Sequence, residues 1–169
     1  GTVSVAGLSD VRASTVRLDA TSGTITQTAP VTATTALAAK ATGSIRLDAG
    51  NSVGPANRDG EGTVALQSGG DILFRETSAG YTVGRVVTAG VTPSTFAAGI
   101  GSTAAAGKVE LDTPAGLVGQ DANTPAATAD VGVRGASLLL RGDAAYTLTR
   151  ETNNVVTLAA APGAGMLRY

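Results

Sequence analysis

Hydrophobic and polar positions alternate along much of this chain in short runs of the form apolar, any residue, Leu. The runs are Val16-Arg17-Leu18, Ile45-Arg46-Leu47, Val64-Ala65-Leu66, Val109-Glu110-Leu111, Leu138-Leu139-Leu140 and Val156-Thr157-Leu158. Apolar residues two apart point to one side of an extended backbone and the middle residue points to the other, so each run predicts a strand with one buried face. The starts lie 29, 19, 45, 29 and 18 residues apart. Dividing the 45 at Val86 leaves 22 and 23.

A longer period overlies the short one. Val16-Arg17-Leu18-Asp19 returns as Val109-Glu110-Leu111-Asp112, and the pairs Gly23/Gly116, Gln27/Gln120 and Ser44/Ser137 share the offset 116 − 23 = 93. Leu73-Phe74-Arg75 returns as Met166-Leu167-Arg168 at the same offset, so a superrepeat spans residues 16–108 and, incompletely, 109–169. Four strand units in 93 residues give about 23 residues each, the length of one coil of a β-solenoid. The expectation is one all-β segment, residues 1–169, wound as a right-handed parallel β-helix of about 23 residues per coil and about seven coils. With strands about 4.8 Å apart, seven coils make a rod on the order of 35 Å long.

Composition narrows the core. The chain has 23 Gly and only 3% aromatic residues, yet is 43% hydrophobic. That is too apolar for a disordered chain and too poor in bulky side chains for a thick globular core. Thr and Val favour strands, while Gly, Asn and Asp supply corners. The Ala-rich stretches 33–41 and 122–129 lack a 3.6-residue period with caps, and read as extended chain. Two interruptions, residues 54–62 and 91–107, are expected to leave the rod surface as loops, where recognition on a solenoid usually sits.

Charge and chemistry mostly exclude. Twelve basic residues stand against thirteen acidic ones with no basic run, which argues against nucleic acid as a partner. No stretch is apolar for long enough to span a membrane. No signal peptide opens the chain, which reads as a piece of something larger. Cys and His are both absent, removing disulfides, thiolate or imidazole metal ligands, and any His-dependent triad. The expectation is no catalytic, cofactor-binding or metal-binding residue.

The run Gly23-Thr24-Ile25-Thr26-Gln27-Thr28, then Leu37, Gly43-Ser44-Ile45-Arg46-Leu47 and Asn51-Ser52-Val53-Gly54, resembles the repeats of filamentous-haemagglutinin-type exoproteins. Gly70-Asp71-Ile72-Leu73-Phe74 followed by Tyr81-Thr82-Val83-Gly84 is similar to the next stretch of those repeats. The resemblance implies a large bacterial surface or secreted adhesin, built on right-handed parallel β-helices and exported by two-partner secretion. Its partners would be a host-cell or glycan surface.

Four constellations remain to be weighed. Asp19 and Asp48 end comparable strands, and stacked one coil apart at about 5 Å they would match a retaining glycosidase pair. Arg141 in place of a second-copy Asp48 argues for plain strand-ending carboxylates instead. Gly69-Gly70-Asp71 lacks the nine-residue recurrence of calcium-binding repeats. Thr24-Ile25-Thr26 and Thr32-Ala33-Thr34 hint at an ice-binding array that Leu117-Val118-Gly119 breaks. Arg141-Gly142-Asp143 spells an integrin-binding tripeptide at an expected corner. Two functional classes follow: an adhesive, non-catalytic rod, or a filament subunit whose copies stack end to end through open strand edges.

Overall fold

A computed structural model of the chain describes residues 2–5, 11–54, 62–78, 80–87, 95–121 and 131–169. Every regular element among them is a strand. In chain order these are β1 (Val3–Val5), β2 (Val11–Ala20), β3 (Ile25–Gln27), β4 (Val31–Ala41), β5 (Ile45–Val53), β6 (Thr63–Ser68), β7 (Ile72–Glu76), β8 (Gly80–Val83) and β9 (Arg85–Val87). They continue as β10 (Thr95–Ala98), β11 (Ile100–Ser102), β12 (Lys108–Asp112), β13 (Leu117–Gln120), β14 (Val133–Arg141), β15 (Ala145–Thr147), β16 (Asn154–Ala161) and β17 (Leu167–Arg168).

The strands pair in parallel along three ladders. On the first, β1-β3-β5-β7-β12-β14-β16, residues Val3, Ile25, Ile45, Ile72, Val109, Leu138 and Leu158 stand in line. The second begins with the first halves of β2 and β4 and the end of β5. It resumes as β8-β13-β15-β17, which β6 joins through Thr63 and Val64. On the third, Leu18, Ala39, Leu66, Ile100 and Val133 align across β2, β4, β6, β11 and β14. Because β4, β5 and β14 each serve two ladders, the sheet closes on itself through seven strands, β4-β5-β7-β12-β14-β11-β6.

Parallel in-register pairing places like beside like, and this builds the core. Ile25, Ile45 and Ile72 form one buried row, and Leu47, Phe74, Leu111 and Leu140 form the next. Phe74 meets Tyr81 edge to face with ring centroids 5.3 Å apart, spanning the interior between β7 and β8. The narrow interior needs few bulky residues, which accounts for the scarcity of aromatics.

Corners are tight. Gly23 and Gly116, one superrepeat apart, both take the left-handed conformation (φ 116° and 81°) just before β3 and β13. L-residues avoid that region, so glycine is required at both.

Several sequence expectations change in space. Successive residues of the first ladder are 22, 20, 27, 37, 29 and 20 positions apart, a mean of (158 − 3)/6, about 26, in place of a uniform 23. Val16 lies on the third ladder and Val109 on the first, three rungs along and one face round. The same step carries Ile25 to Val118 and Phe74 to Leu167, whereas the neighbours of Ser44 and Ser137 stay on one ladder. The 93-residue period therefore tracks three circuits and a third more closely than whole circuits. Leu158, not Val156, aligns with Leu138, because Val156 belongs to the stretch that rounds the preceding corner.

The excursion expected at 91–107 also resolves differently over the residues described. Val86 lies in β9, which pairs antiparallel with β10. This hairpin folds back over the outside of the closed sheet and buries Ala36, Ala38 and Ala65 beneath Val86, Ala97 and Phe96. Arg17 helps to hold it by donating to the Val87 carbonyl at 3.1 Å. Small outward residues at 36, 38 and 65 are what allow the hairpin to lie flat, which gives the Ala-rich stretch within β4 its purpose. Beyond the hairpin, β11 rejoins the third ladder. Residues 55–61 of the first expected loop, and 122–129 of the second Ala-rich stretch, lie outside the described residues.

Truncating a fully buried aromatic tests the stacked core. Phe74→Ala should cost about 3–5 kcal/mol of unfolding free energy by leaving a cavity between Leu47, Leu111 and Tyr81, measured by denaturant titration. A loss below about 1 kcal/mol would show that the row is not tightly packed.

Candidate functional site

Polar side chains gather in two interior corners, on one charged outer face, and in one outer groove. The interior corners come first because they hold the frame. Asn51 Oδ1 accepts from Gln27 Nε2 at 2.9 Å and from the Val31 backbone N–H at 3.1 Å, while its Nδ2 donates to the carbonyls of Leu47 and Arg75. The same arrangement recurs later. Asn153 Oδ1 accepts from Gln120 Nε2 at 2.7 Å and from the Val133 N–H at 2.8 Å, and its Nδ2 donates to Leu148 O. Gln27 and Gln120 are the superrepeat pair, so that sequence offset marks two equivalent corner locks. Each amide satisfies backbone groups that the turning chain would otherwise bury unpaired.

Beside Asn51 on the next rung sits Glu76, fully buried. Its Oε1 accepts from the N–H groups of Val53 and Ser78 and from the Ser78 hydroxyl, while Oε2 has no partner among the described residues. Burial raises its carboxyl from 4.5 to about 7, against the lowering effect of those hydrogen bonds. A zero-exposure carboxyl presents nothing to a substrate, and its role here is to close the corner.

On the outer side of the first ladder, charges compensate one another. Arg46 pairs with Asp48 at 2.8 Å, Arg75 with Asp112 at 3.6 Å, and Arg141 with Glu110 at 3.0 Å. These half-exposed pairs keep that face hydrated and contribute little stability.

The outer side of the third ladder differs. Asp19, Lys40, Gln67, Gly101, Arg134 and Asn154 stand in one outward row, one per rung. Gly101 leaves a gap in that row, and a groove of about 440 Å³ opens there, with Lys40 and Gln67 to one side, Arg134 to the other, and Ser102 and Thr103 at the corner. Gln67 Nε2 donates to the Ala98 carbonyl at 3.2 Å, Ser102 Oγ to Gly70 O at 2.6 Å and Thr103 Oγ1 to Ser68 O at 3.2 Å. Ser102 Oγ in turn accepts from the Ala104 N–H at 3.2 Å. The described residues lining the groove include two cations and no carboxylate.

No protein-family model, no curated protein and no solved structure matches the chain.

The constellations weighed from sequence separate in space. Asp19 neighbours Lys40 on the third ladder and Asp48 pairs with Arg46 on the first, so the two carboxylates do not stack. Strands that looked equivalent end on different faces, so the 5 Å pair weighed against plain strand-ending carboxylates does not form. Asp71 caps a corner: its Oδ1 accepts from the Lys108 N–H at 2.9 Å. Among the described residues no cluster of three potential metal ligands exists. Thr26 is followed along its row by Arg46 and Leu73, which breaks the threonine array within one rung. Arg141-Gly142-Asp143 occupies the corner between β14 and β15, with the Arg141 guanidinium bonded to Glu110 and Gly142 left-handed at φ 84°. The groove escaped sequence reasoning because its residues lie 27 to 34 positions apart and only the register aligns them.

Glu76 sets a pH dependence of stability. Its folded pKa lies above the unfolded one, so the folded chain binds the proton more tightly; stability is full below about pH 4.5 and is lost as pH rises towards 7. The loss should approach about 3 kcal/mol by pH 8. With no histidine in the chain, little else titrates in this window. Glu76→Gln keeps the size and an acceptor for Val53, and should level the unfolding midpoint between pH 5 and 8. A wild-type midpoint already flat over that range would contradict a protonated interior carboxyl.

Proposed function

We propose that the chain is a right-handed parallel β-solenoid of about seven coils that serves as a non-catalytic, adhesive rod segment of a secreted or cell-surface bacterial exoprotein. The observation that carries this reading is the seven-strand parallel ladder from β1 to β16, filled along its interior by stacked apolar side chains. Right-handed winding follows from the strong bias of parallel crossover connections towards that hand. Six intervals of about 4.8 Å make the ladder about 29 Å long. Such a frame gives reach and a fixed spacing between surface groups, and its buried polar atoms are spent on corners instead of on reactive chemistry. The resemblance to filamentous-haemagglutinin-type repeats supports the extracellular setting and a host-cell or glycan surface as partner. Neither nucleic acid nor a membrane span belongs to the reading: the charges balance, and among the described residues no helix is long and apolar enough to cross a membrane.

A second reading is favoured by the last rung. Among the described residues β16 and β17 pair on one side only, and Val156 and Met166 are 85% and 62% exposed there. At the opposite end β1 and β2 likewise pair on one side only among the described residues. Parallel edges at both ends admit another copy in continuous register, so end-to-end stacking would make a filament from short chains.

Beads coated with the 169-residue chain should attach to cultured epithelial cells, and uncoated beads should not. Absence of attachment would remove the adhesive reading. Sedimentation of the soluble chain separates the alternatives: a single species at all concentrations supports the covalent rod, whereas concentration-dependent fibres that Val156→Lys abolishes support the filament.

A further inference from the structure

We infer that the interior corner enclosed by Glu76, Tyr81 and Thr113 is a binding site for one water molecule, which bridges Glu76 Oε2 to the two hydroxyls and belongs to the frame.

Position is the first argument. Asn51 and Glu76 are register partners at the ends of β5 and β7, and Asp112 aligns with Arg75, so the next residue, Thr113, follows Glu76 in the same corner column. Its backbone is fixed there: the N–H donates to Arg141 O and the carbonyl accepts from the Ala144 N–H, both at 3.1 Å. Tyr81 approaches from the second ladder, where it stands in line with Val118 and meets Phe74 edge to face. Burial raises its phenol well above the usual range, Tyr146 and Glu76 add to the rise, and Thr113 opposes it. Those influences set the hydroxyl among these side chains.

Unmet hydrogen bonding is the second. Glu76, Tyr81 and Thr113 all have zero exposure. Glu76 Oε2, Tyr81 OH and Thr113 Oγ1 nonetheless close no hydrogen bond among the described residues. On the preceding rung Asn51 differs, since its two polar atoms meet Gln27, Val31, Leu47 and Arg75. Unmet polar atoms are costly in a dry interior, and three at one place can be met together by a single shared partner.

The chemistry of that partner is the third. Each hydroxyl brings a donor and acceptor lone pairs, and so does the Glu76 carboxyl with its proton on. The shared partner must therefore both donate and accept. A metal cation would take only lone pairs and leave the hydroxyl protons without an acceptor. Water does both, and about three hydrogen bonds are usual for a buried one. Thr113 is the smallest side chain of the column, which favours space for one small molecule at its rung.

A crystal structure of the whole chain, grown with rubidium chloride at a resolution that shows ordered waters, tests the site directly. One density peak should lie about 2.5–3.0 Å from all three oxygens, with no anomalous signal at the rubidium edge. Rubidium signal at that point would make it a cation site and overturn the water. Hydroxyls bonded directly to each other or to Glu76, with no peak between them, would overturn it as well. Thermal unfolding gives a second readout, through Tyr81→Phe and the size-matched Thr113→Val. If one water joins the two hydroxyls, each variant should lower the midpoint by about 2–4 °C, and the double variant by less than the sum, because both act through the same molecule. Removing a hydroxyl that has no partner relieves a penalty instead. A midpoint raised or unchanged by either variant, or fully additive losses, therefore counts against the bridge, and the density peak decides the matter even where a variant fails to fold.

Discussion

In-register parallel pairing is the constraint on which the rest of this structure depends. Each strand hydrogen-bonds to the one before it, so pairing sets which residues stand in one row and alternation sets which face of the sheet that row takes. The core follows from that rule: a row such as Ile25, Ile45 and Ile72 packs because identical shapes repeat at strand spacing. A slip by one residue would turn the whole row outward.

The same pairing creates the chief difficulty of the fold, which is how to turn a corner without stranding backbone groups inside. Asn51 and Asn153 answer it by placing an amide in the corner, where one side chain satisfies both donors and acceptors of the passing chain. Gln27 and Gln120 complete the locks. Glu76 occupies a comparable place with a group less suited to it, since a carboxylate in a dry corner stays comfortable only with its proton on. The frame is rigid where amides hold it and sensitive to pH where the carboxyl does.

Surface features are consequences of what the frame leaves over. Alanines at 36, 38 and 65 make a flat seat for the β9–β10 hairpin, and the next outward row, missing a side chain at Gly101, becomes a groove. On the adjoining face Arg46, Arg75 and Arg141 are spent against Asp48, Asp112 and Glu110. The first-ladder face pairs its charges within hydrogen-bonding reach, whereas the groove face sets Lys40 and Arg134 three rungs apart.

Alternation at Val16-Arg17-Leu18 or Val109-Glu110-Leu111 was enough to establish strands with one buried side, since that pattern is local and needs no knowledge of partners. The scarcity of aromatics established a thin core, and the 93-residue offset marked equivalent corners at Gly23 and Gly116 and at Gln27 and Gln120. What the alternation could not contain was which strand lies beside which. Pairing depends on the length of every turn between rungs, and these lengths vary from 20 to 37 residues along the first ladder. Asp19 and Asp48 therefore parted, Val86 left the parallel sheet for a hairpin, and Lys40, Gly101 and Arg134 came together, all by register. The chain's own letters decide what each residue buries; only the closed sheet decides whom it meets.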